Sequence, residues 1–224
     1  MKITYHGHSC IQINSGKDSI IIDPFITGNP AAKVKAKDIE CNYIILTHGH
    51  ADHFGDTIEI SGENDATIIA TAEIAYYCDR MHRKTHAMNL GGCYEFSFGT
   101  IKLTLAHHSS SLPDGSYAGE PAGAIVNIDG KTIYHAGDTA LFYDMKLIGE
   151  LNKIDYAFLP IGDNFTMGPD EAVKAAEFIN ANTIIPIHYN TFDVIKQDAQ
   201  NFKRKIEAIG KKCIVMNPED SFEV

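Results

Sequence analysis

The stretch Thr47-His48-Gly49-His50-Ala51-Asp52-His53 constrains this chain more than any other. Three imidazoles and one carboxylate fall within six positions, directly after the apolar run Tyr43-Ile44-Ile45-Leu46. Such a run reads as a buried strand, so the cluster sits where a strand opens into a loop. Imidazole nitrogen and carboxylate oxygen are the donors that a borderline-soft divalent metal prefers. His48 and His50, at i and i+2, can pinch one ion, while Asp52 and His53 face a neighbouring position. The alternative is a His-rich surface turn without metal, disfavoured because the Asp is interleaved with the imidazoles. The chain is expected to bring strand ends to one rim and to hold two metals there.

Further candidate ligands sit at the ends of other predicted strands. His107-His108 follow Ile101-Lys102-Leu103-Thr104-Leu105, Asp138 closes Ile133-Tyr134-His135-Ala136-Gly137-Asp138, and His188 closes Ile184-Ile185-Pro186-Ile187-His188. Strand ends converging on one sheet rim are the usual way to assemble a site from distant sequence. Hydrophobic periodicity predicts strands over 2–6, 10–14, 19–23, 43–47, 67–70, 94–98, 100–107, 122–128, 131–135, 155–160, 183–187 and 213–216. Helices are predicted over 72–82, 142–151, 169–180 and 194–209. Two strand-rich halves, each with helices, suggest two sheets packed face to face. No linker-like stretch interrupts them, so 1–224 reads as one domain.

Composition narrows the function classes. The formal net charge is −10, so approach to a phosphate backbone is disfavoured. The basic groups Lys33, Lys35, Lys37 and Lys203, Arg204, Lys205 are short, mixed with acids, and read as solvated faces. The five cysteines are odd in number, scattered and without C-x-x-C spacing, as expected of reduced thiols in a cytoplasmic protein. The opening Lys2-Ile3-Thr4-Tyr5 starts a strand at once, which argues against a signal peptide. No apolar run approaches the roughly 20 residues that span a bilayer. The expected partner is a small-molecule substrate, with neither nucleic acid nor membrane, and homo-oligomerisation is left open.

The ordered set H-x-H-x-D-H, a His, Gly137-Asp138-Thr139 and a strand-terminal His resembles the metallo-β-lactamase superfamily over the whole chain. Tyr5-His6-Gly7-His8-Ser9, Asp23-Pro24-Phe25, Ala106-His107-His108-Ser109-Ser110, Tyr134 to Thr139 and Pro160 to Gly168 resemble one branch of it. That branch comprises bacterial and archaeal metal-dependent hydrolases close to the ascorbate-6-phosphate lactonase group. The resemblance implies an α+β fold, a four-layer αββα sandwich, with a dinuclear site at one edge. It implies that His48, His50 and His108 hold a first ion, Asp52, His53 and His188 a second, and that Asp138 bridges them. Zn²⁺ suits this donor set, with Mn²⁺ or Fe²⁺ as alternatives. Side chains alternate along a strand, so only one of His107 and His108 can easily face the site; the resemblance favours His108.

Five further positions keep two readings each. His8 lines the site or is a buried structural histidine. Asp23 orients site histidines or caps a loop. His135 lies behind Asp138 or is simply strand-buried. Asn164 and Thr166, with the rest of the Asn164–Gly168 loop, floor a substrate pocket or belong to a plain helix-entry loop.

The expected chemistry is hydrolysis by a metal-bridged hydroxide attacking an ester, lactone, thioester or phosphoester, with Asp52 and Asp138 orienting the nucleophile and moving its proton. An RNase Z-like phosphodiesterase would use the same ligands but normally brings a basic surface or an added arm. A flavodiiron oxidoreductase would carry an acid where His50 stands, and a secreted antibiotic-hydrolysing enzyme would need a leader. A non-catalytic metal-binding module is the remaining alternative, disfavoured by seven intact ligands.

Overall fold

Ser19-Ile20-Ile21-Ile22 shows why this chain must have layers on both sides of a sheet. Neighbouring strand residues point to opposite faces, yet all three isoleucines are fully buried. The computed structural model describes residues 1–224. Its first half carries β1 (Lys2–Gly7), β2 (Cys10–Asn14), β3 (Ser19–Ile22), β4 (Tyr43–Ile45), α1 (Ala51–Phe54), α2 (Thr57–Asn64), β5 (Thr67–Thr71), α3 (Ala72–Asp79) and β6 (Thr85–Met88). The second half carries β7 (Cys93–Phe96), β8 (Gly99–Leu105), β9 (Ala122–Ile128), β10 (Lys131–His135), α4 (Met145–Leu151), β11 (Tyr156–Pro160), α5 (Pro169–Ile179), β12 (Thr183–Ile187), α6 (Ala199–Ala208), β13 (Lys212–Cys213) and β14 (Ser221–Glu223).

The strands form two seven-stranded mixed sheets, ordered β14-β1-β2-β3-β4-β5-β6 and β13-β12-β11-β10-β9-β8-β7. Ile20, Ile22, Ile45 and Ile69 from one sheet meet Leu103, Val126, Phe158 and Ile185 from the other in the central core. Their neighbours Ile21, Ile44 and Ile68 turn outward to a layer with Ile60, Ile74 and Cys78 of α2 and α3. On the other side Ile184 and Leu159 pack with Met145, Ala176 and Phe202 of α4, α5 and α6. This is the expected αββα sandwich.

Parallel pairing runs through β3-β4-β5-β6 and through β10-β11-β12-β13. Carboxyl ends of neighbouring parallel strands therefore share a rim in each sheet, the place where open α/β sheets bind ligands.

Several boundaries differ from the sequence expectation. The helix predicted over 194–209 begins at Ala199, because the Asp198 carboxylate accepts the Asn201 N–H (2.9 Å) and caps it there. Residues 193–195 form a separate helical turn. The strand predicted over 213–216 shrinks to Lys212–Cys213, and α1, α2, β6 and β14 were not predicted.

Candidate metal centre

Each predicted ligand leaves the fold at a strand end. His48 and His50 follow β4, whose last residue Ile45 is tied to β3 and whose extension Leu46 donates its N–H to Ile69 O (3.0 Å). α1 then starts at Ala51 and turns Asp52 and His53 back toward the rim. His108 lies just past β8, Asp138 past β10 and His188 past β12. His188 adopts a left-handed backbone (φ 54°), and its N–H donates to His8 O (2.7 Å).

The structure brings these atoms into contact range. His48 Nε2 lies 3.0 Å from His50 Nδ1, and the ligand atoms of His48, His50 and His108 all lie within 4.8 Å of one another. Asp52, His53 and His188, joined by His8, form a second such group. Asp138 sits between them: its Oδ1 is 3.3 Å from His53 Nε2, and its Oδ2 is 3.0 Å from His188 Nε2 and 3.6 Å from His108 Nε2. Two donors each about 2.0–2.1 Å from a tetrahedral ion stand about 3.4 Å apart, so these spacings suit the metal.

The polar accounting points the same way. His53 Nε2, Asp138 Oδ1 and His188 Nδ1 are buried without a hydrogen-bond partner. Buried polar atoms are rarely left so. Two of the three, His53 Nε2 and Asp138 Oδ1, face each other 3.3 Å apart at the centre of the cluster, where a bound cation, or in its absence a proton on His53, satisfies both.

Asp23 orients the cluster from behind. Its Oδ1 accepts the Thr47 N–H (2.8 Å), and its Oδ2 accepts the Thr47 hydroxyl (2.6 Å) and His53 Nδ1–H (2.7 Å). Because the Thr47 proton goes to Asp23, the 3.0 Å contact between Thr47 Oγ1 and His48 Nδ1 requires His48 Nδ1–H to donate. One carboxylate thus fixes the tautomers of His48 and His53, leaving both Nε2 lone pairs for metal.

His8 has a comparable task at Asp52. Its Nε2–H donates to Asp52 Oδ2 (3.1 Å), and its Nδ1 accepts from the Thr191 hydroxyl (2.9 Å). Burial pushes the His8 imidazole down to about 4, so the ring is neutral. For Asp52 burial acts upward, but the His8 hydrogen bond and the nearby His53 outweigh it and keep the carboxyl ionised. Asp138 behaves alike: His188 and His53 overcome burial and hold it well below the usual carboxylate range. Burial lowers His48, His50 and His108, so these rings present lone pairs rather than charge. His53 is the exception: burial acts downward, but Asp138 and Asp23 raise it well above its ordinary value.

The remaining candidates separate cleanly. His108 faces the cluster, whereas His107 stacks on Phe142 (4.8 Å) outside it. His135 contacts none of the ligands: its Nε2–H donates to Ser9 O (2.9 Å) and its Nδ1 accepts Gly137 N–H (3.1 Å), which shapes the turn before Asp138. Of the Asn164–Gly168 loop, Phe165 lines the cavity over the cluster, whereas Asn164 and Thr166 do not. Ser109, also in that wall, is a residue that sequence reasoning missed. Its place directly after His108 was the available signal.

A family model described as the beta-lactamase superfamily domain matches residues 18–189. The chain belongs to the metallo-β-lactamase superfamily. Among its relatives, a UPF0173 metal-dependent hydrolase of Bacillus cereus (strain B4264) is 53% identical over 212 residues, covering 92% of this chain and 93% of the relative. Another of that description, from Anoxybacillus flavithermus, is 54% identical over 215 residues, covering 94% and 96%. Among solved structures, Igni18, a metallo hydrolase from Ignicoccus hospitalis, shares the superfamily fold with a TM-score of 0.91 at 38% identity, covering 100% of this chain and 98% of its own. An isothiocyanate hydrolase from Delia radicum gut bacteria (TM-score 0.78, 18% identity, 100% and 99% covered) is similar in fold alone.

Proposed function

We propose that this chain is a metal-dependent hydrolase that holds two divalent ions, Zn²⁺ by preference, and cleaves a small-molecule ester, lactone, thioester or phosphoester in the cytoplasm. The observation that carries the reading is the facing pair His53 Nε2 and Asp138 Oδ1, buried, 3.3 Å apart and without other partners, between two sets of imidazole ligands. His48, His50 and His108 would hold one ion, Asp52, His53 and His188 the other, and Asp138 both. The bound ions supply a nucleophilic water at neutral pH and Lewis acidity at the scissile group. Asp52, 30% exposed and held in place by His8, would orient a water at that group and take up its proton.

The description carried by the Bacillus and Anoxybacillus relatives supports the reaction class. The composition of the cavity wall disfavours the nuclease alternative, since neither lysine nor arginine is part of it.

Elemental analysis of protein purified without chelator should approach two transition-metal equivalents per chain. Asp138→Asn is nearly isosteric, so it should stay folded, bind the second equivalent poorly and lose hydrolysis by about 10²-fold or more. Saturation at one equivalent would refute the dinuclear site. A metal-loaded wild type that cleaves nothing across ester, lactone, thioester and phosphodiester panels, with Asp138→Asn altering only thermal stability, would make the metals structural.

A further inference from the structure

The turn between β1 and β2 reaches across to the second sheet. His8 at its tip is left-handed (φ 57°) without being glycine, and it is fully buried. Its carbonyl accepts the Tyr5 hydroxyl (3.0 Å) and the His188 N–H (2.7 Å), so the turn is tied to the end of β12. Its ring lies against His188 (4.1 Å between centroids) and His53 (5.6 Å) and donates to Asp52. Those are the three side chains assigned to the second ion. In the first set, His48 is oriented from elsewhere, by Thr47 and Asp23.

The His8 ring itself needs an anchor. Phe25 and Phe192 pack on it edge to face (5.6 and 5.5 Å between centroids). Apolar packing does not distinguish an imidazole from the same ring turned by 180° about Cβ–Cγ, which would put carbons where the nitrogens are; only hydrogen bonds do. Asp52 is not that anchor, because it is partly exposed and is the group being positioned. The fixed end is Thr191, a buried residue whose hydroxyl meets His8 Nδ1 at 2.9 Å. Its backbone is held in turn. The preceding Asn190 is left-handed (φ 61°), its N–H donates to Ile195 O (2.9 Å), and its Oδ1 accepts the Gln197 N–H (2.8 Å). Ile195 is fully buried. The loop leaving β12 therefore delivers His188 as a ligand and, three residues on, the hydroxyl that aligns the His8 ring.

We infer that Thr191 is a positioning residue for the second ion: through the His8 ring it fixes the Asp52 carboxylate, and it acts on that ion and not on the first. This rests on the dinuclear reading above.

Thr191→Val removes the hydroxyl at nearly constant volume, and Thr191→Ser keeps it. In competitive Zn²⁺ titration of metal-stripped protein, Thr191→Val should weaken one of the two equivalents by about 10-fold or more, the scale on which orienting partners of metal ligands act. The other equivalent should keep wild-type affinity, and Thr191→Ser should restore both. Histidine-ring ¹⁵N NMR, assigned with single-histidine variants, identifies the ion. At a Zn²⁺ level that fills both wild-type sites, His53 and His188 should lose their metal-bound signals in Thr191→Val, while His48, His50 and His108 keep theirs. In the wild type the His8 proton should sit on Nε2. Wild-type affinity for both equivalents in Thr191→Val, whatever its melting temperature, would reduce Thr191 to a packing residue. Equal weakening of both equivalents would overturn the inference too, as would a wild-type His8 proton on Nδ1 with Nε2 bound to zinc. That last measurement needs no variant, so it decides even if Thr191→Val does not fold. A wild type that saturates at one equivalent refutes the dinuclear reading and the split between ions. The placement of Asp52 by Thr191 then stands or falls on whether Thr191→Val weakens that single ion.

Discussion

Asp23 accepts three hydrogen bonds with two buried oxygens, and through them it orients imidazoles from both ligand sets. Asp23→Ala would leave His53 Nδ1–H and both Thr47 donors unpaired in the interior, costing about 3 kcal/mol or more. It should also weaken metal binding by about 10- to 100-fold, as losses of orienting partners do. Competitive metal titration and urea unfolding measure the two separately; wild-type affinity in the variant would reduce Asp23 to a loop cap. The neighbouring pair His107 and His108 gives a sharper contrast. His108→Ala should lose metal and hydrolysis together, whereas His107→Ala removes only a ring stacked on Phe142 and should keep wild-type metal content by elemental analysis. The reverse pattern would exchange their roles.

At the scale of elements, the segment joining β8 to β9 passes over Gly49. A Cβ built at Gly49 would lie 2.6 Å from Ala118 Cβ and 2.9 Å from Ser111 O, and Gly49 N–H donates to Ser110 Oγ (3.1 Å). Gly49→Ala should therefore push residues 110–118 off the His loop at about 1–3 kcal/mol, and Ser109 with them. Lower thermal stability with raised KM is the expected outcome, and an unchanged melting temperature would show that the segment yields freely. This packing was not legible in the sequence, because it depends on where a distant loop lies. The ligands were legible because each follows a strand with strong apolar periodicity, as His188 follows Thr183–Ile187. β6 was missed since Thr85-His86-Ala87-Met88 is an edge strand with little apolar signal, and β14 because its three residues are mostly exposed. α2 reads Thr57-Ile58-Glu59-Ile60-Ser61-Gly62, an alternation that imitates a strand until tertiary packing decides for helix. The Asn164–Gly168 loop was legible as a pocket floor, but that Phe165 and not its polar neighbours faces the cavity depends on the left-handed turn at Asp163 and Asn164.

The whole molecule's response to acid follows from its neutral buried imidazoles. His8, pushed by burial down to about 4, has a folded value below its unfolded value of about 6.5. Between those values the unfolded chain binds the extra proton, so stability falls as pH falls through that window, by up to about 3 kcal/mol from this group alone. Burial gives His48, His50, His108 and His135 the same sign. His53 has the opposite sign: its raised value contributes stability that is full below about 6.5 and is lost as pH rises through its folded value. With five groups against one, chelator-treated protein should unfold at lower urea at pH 5 than at pH 7. Equal midpoints would show that the site rearranges without metal.

β14 pairs with β1 at Lys2↔Glu223, although twelve other strands separate them along the chain. On the ribosome, the first six strands emerge long before Ser221–Glu223, so the outer edge of β1 stays open while the second sheet is still being made. An unpaired strand edge is a template for another chain. Nascent copies spaced along one messenger would meet at that edge, and slower translation of the second half would lengthen the exposure. The three-residue strand that looks least important in the finished fold closes this window.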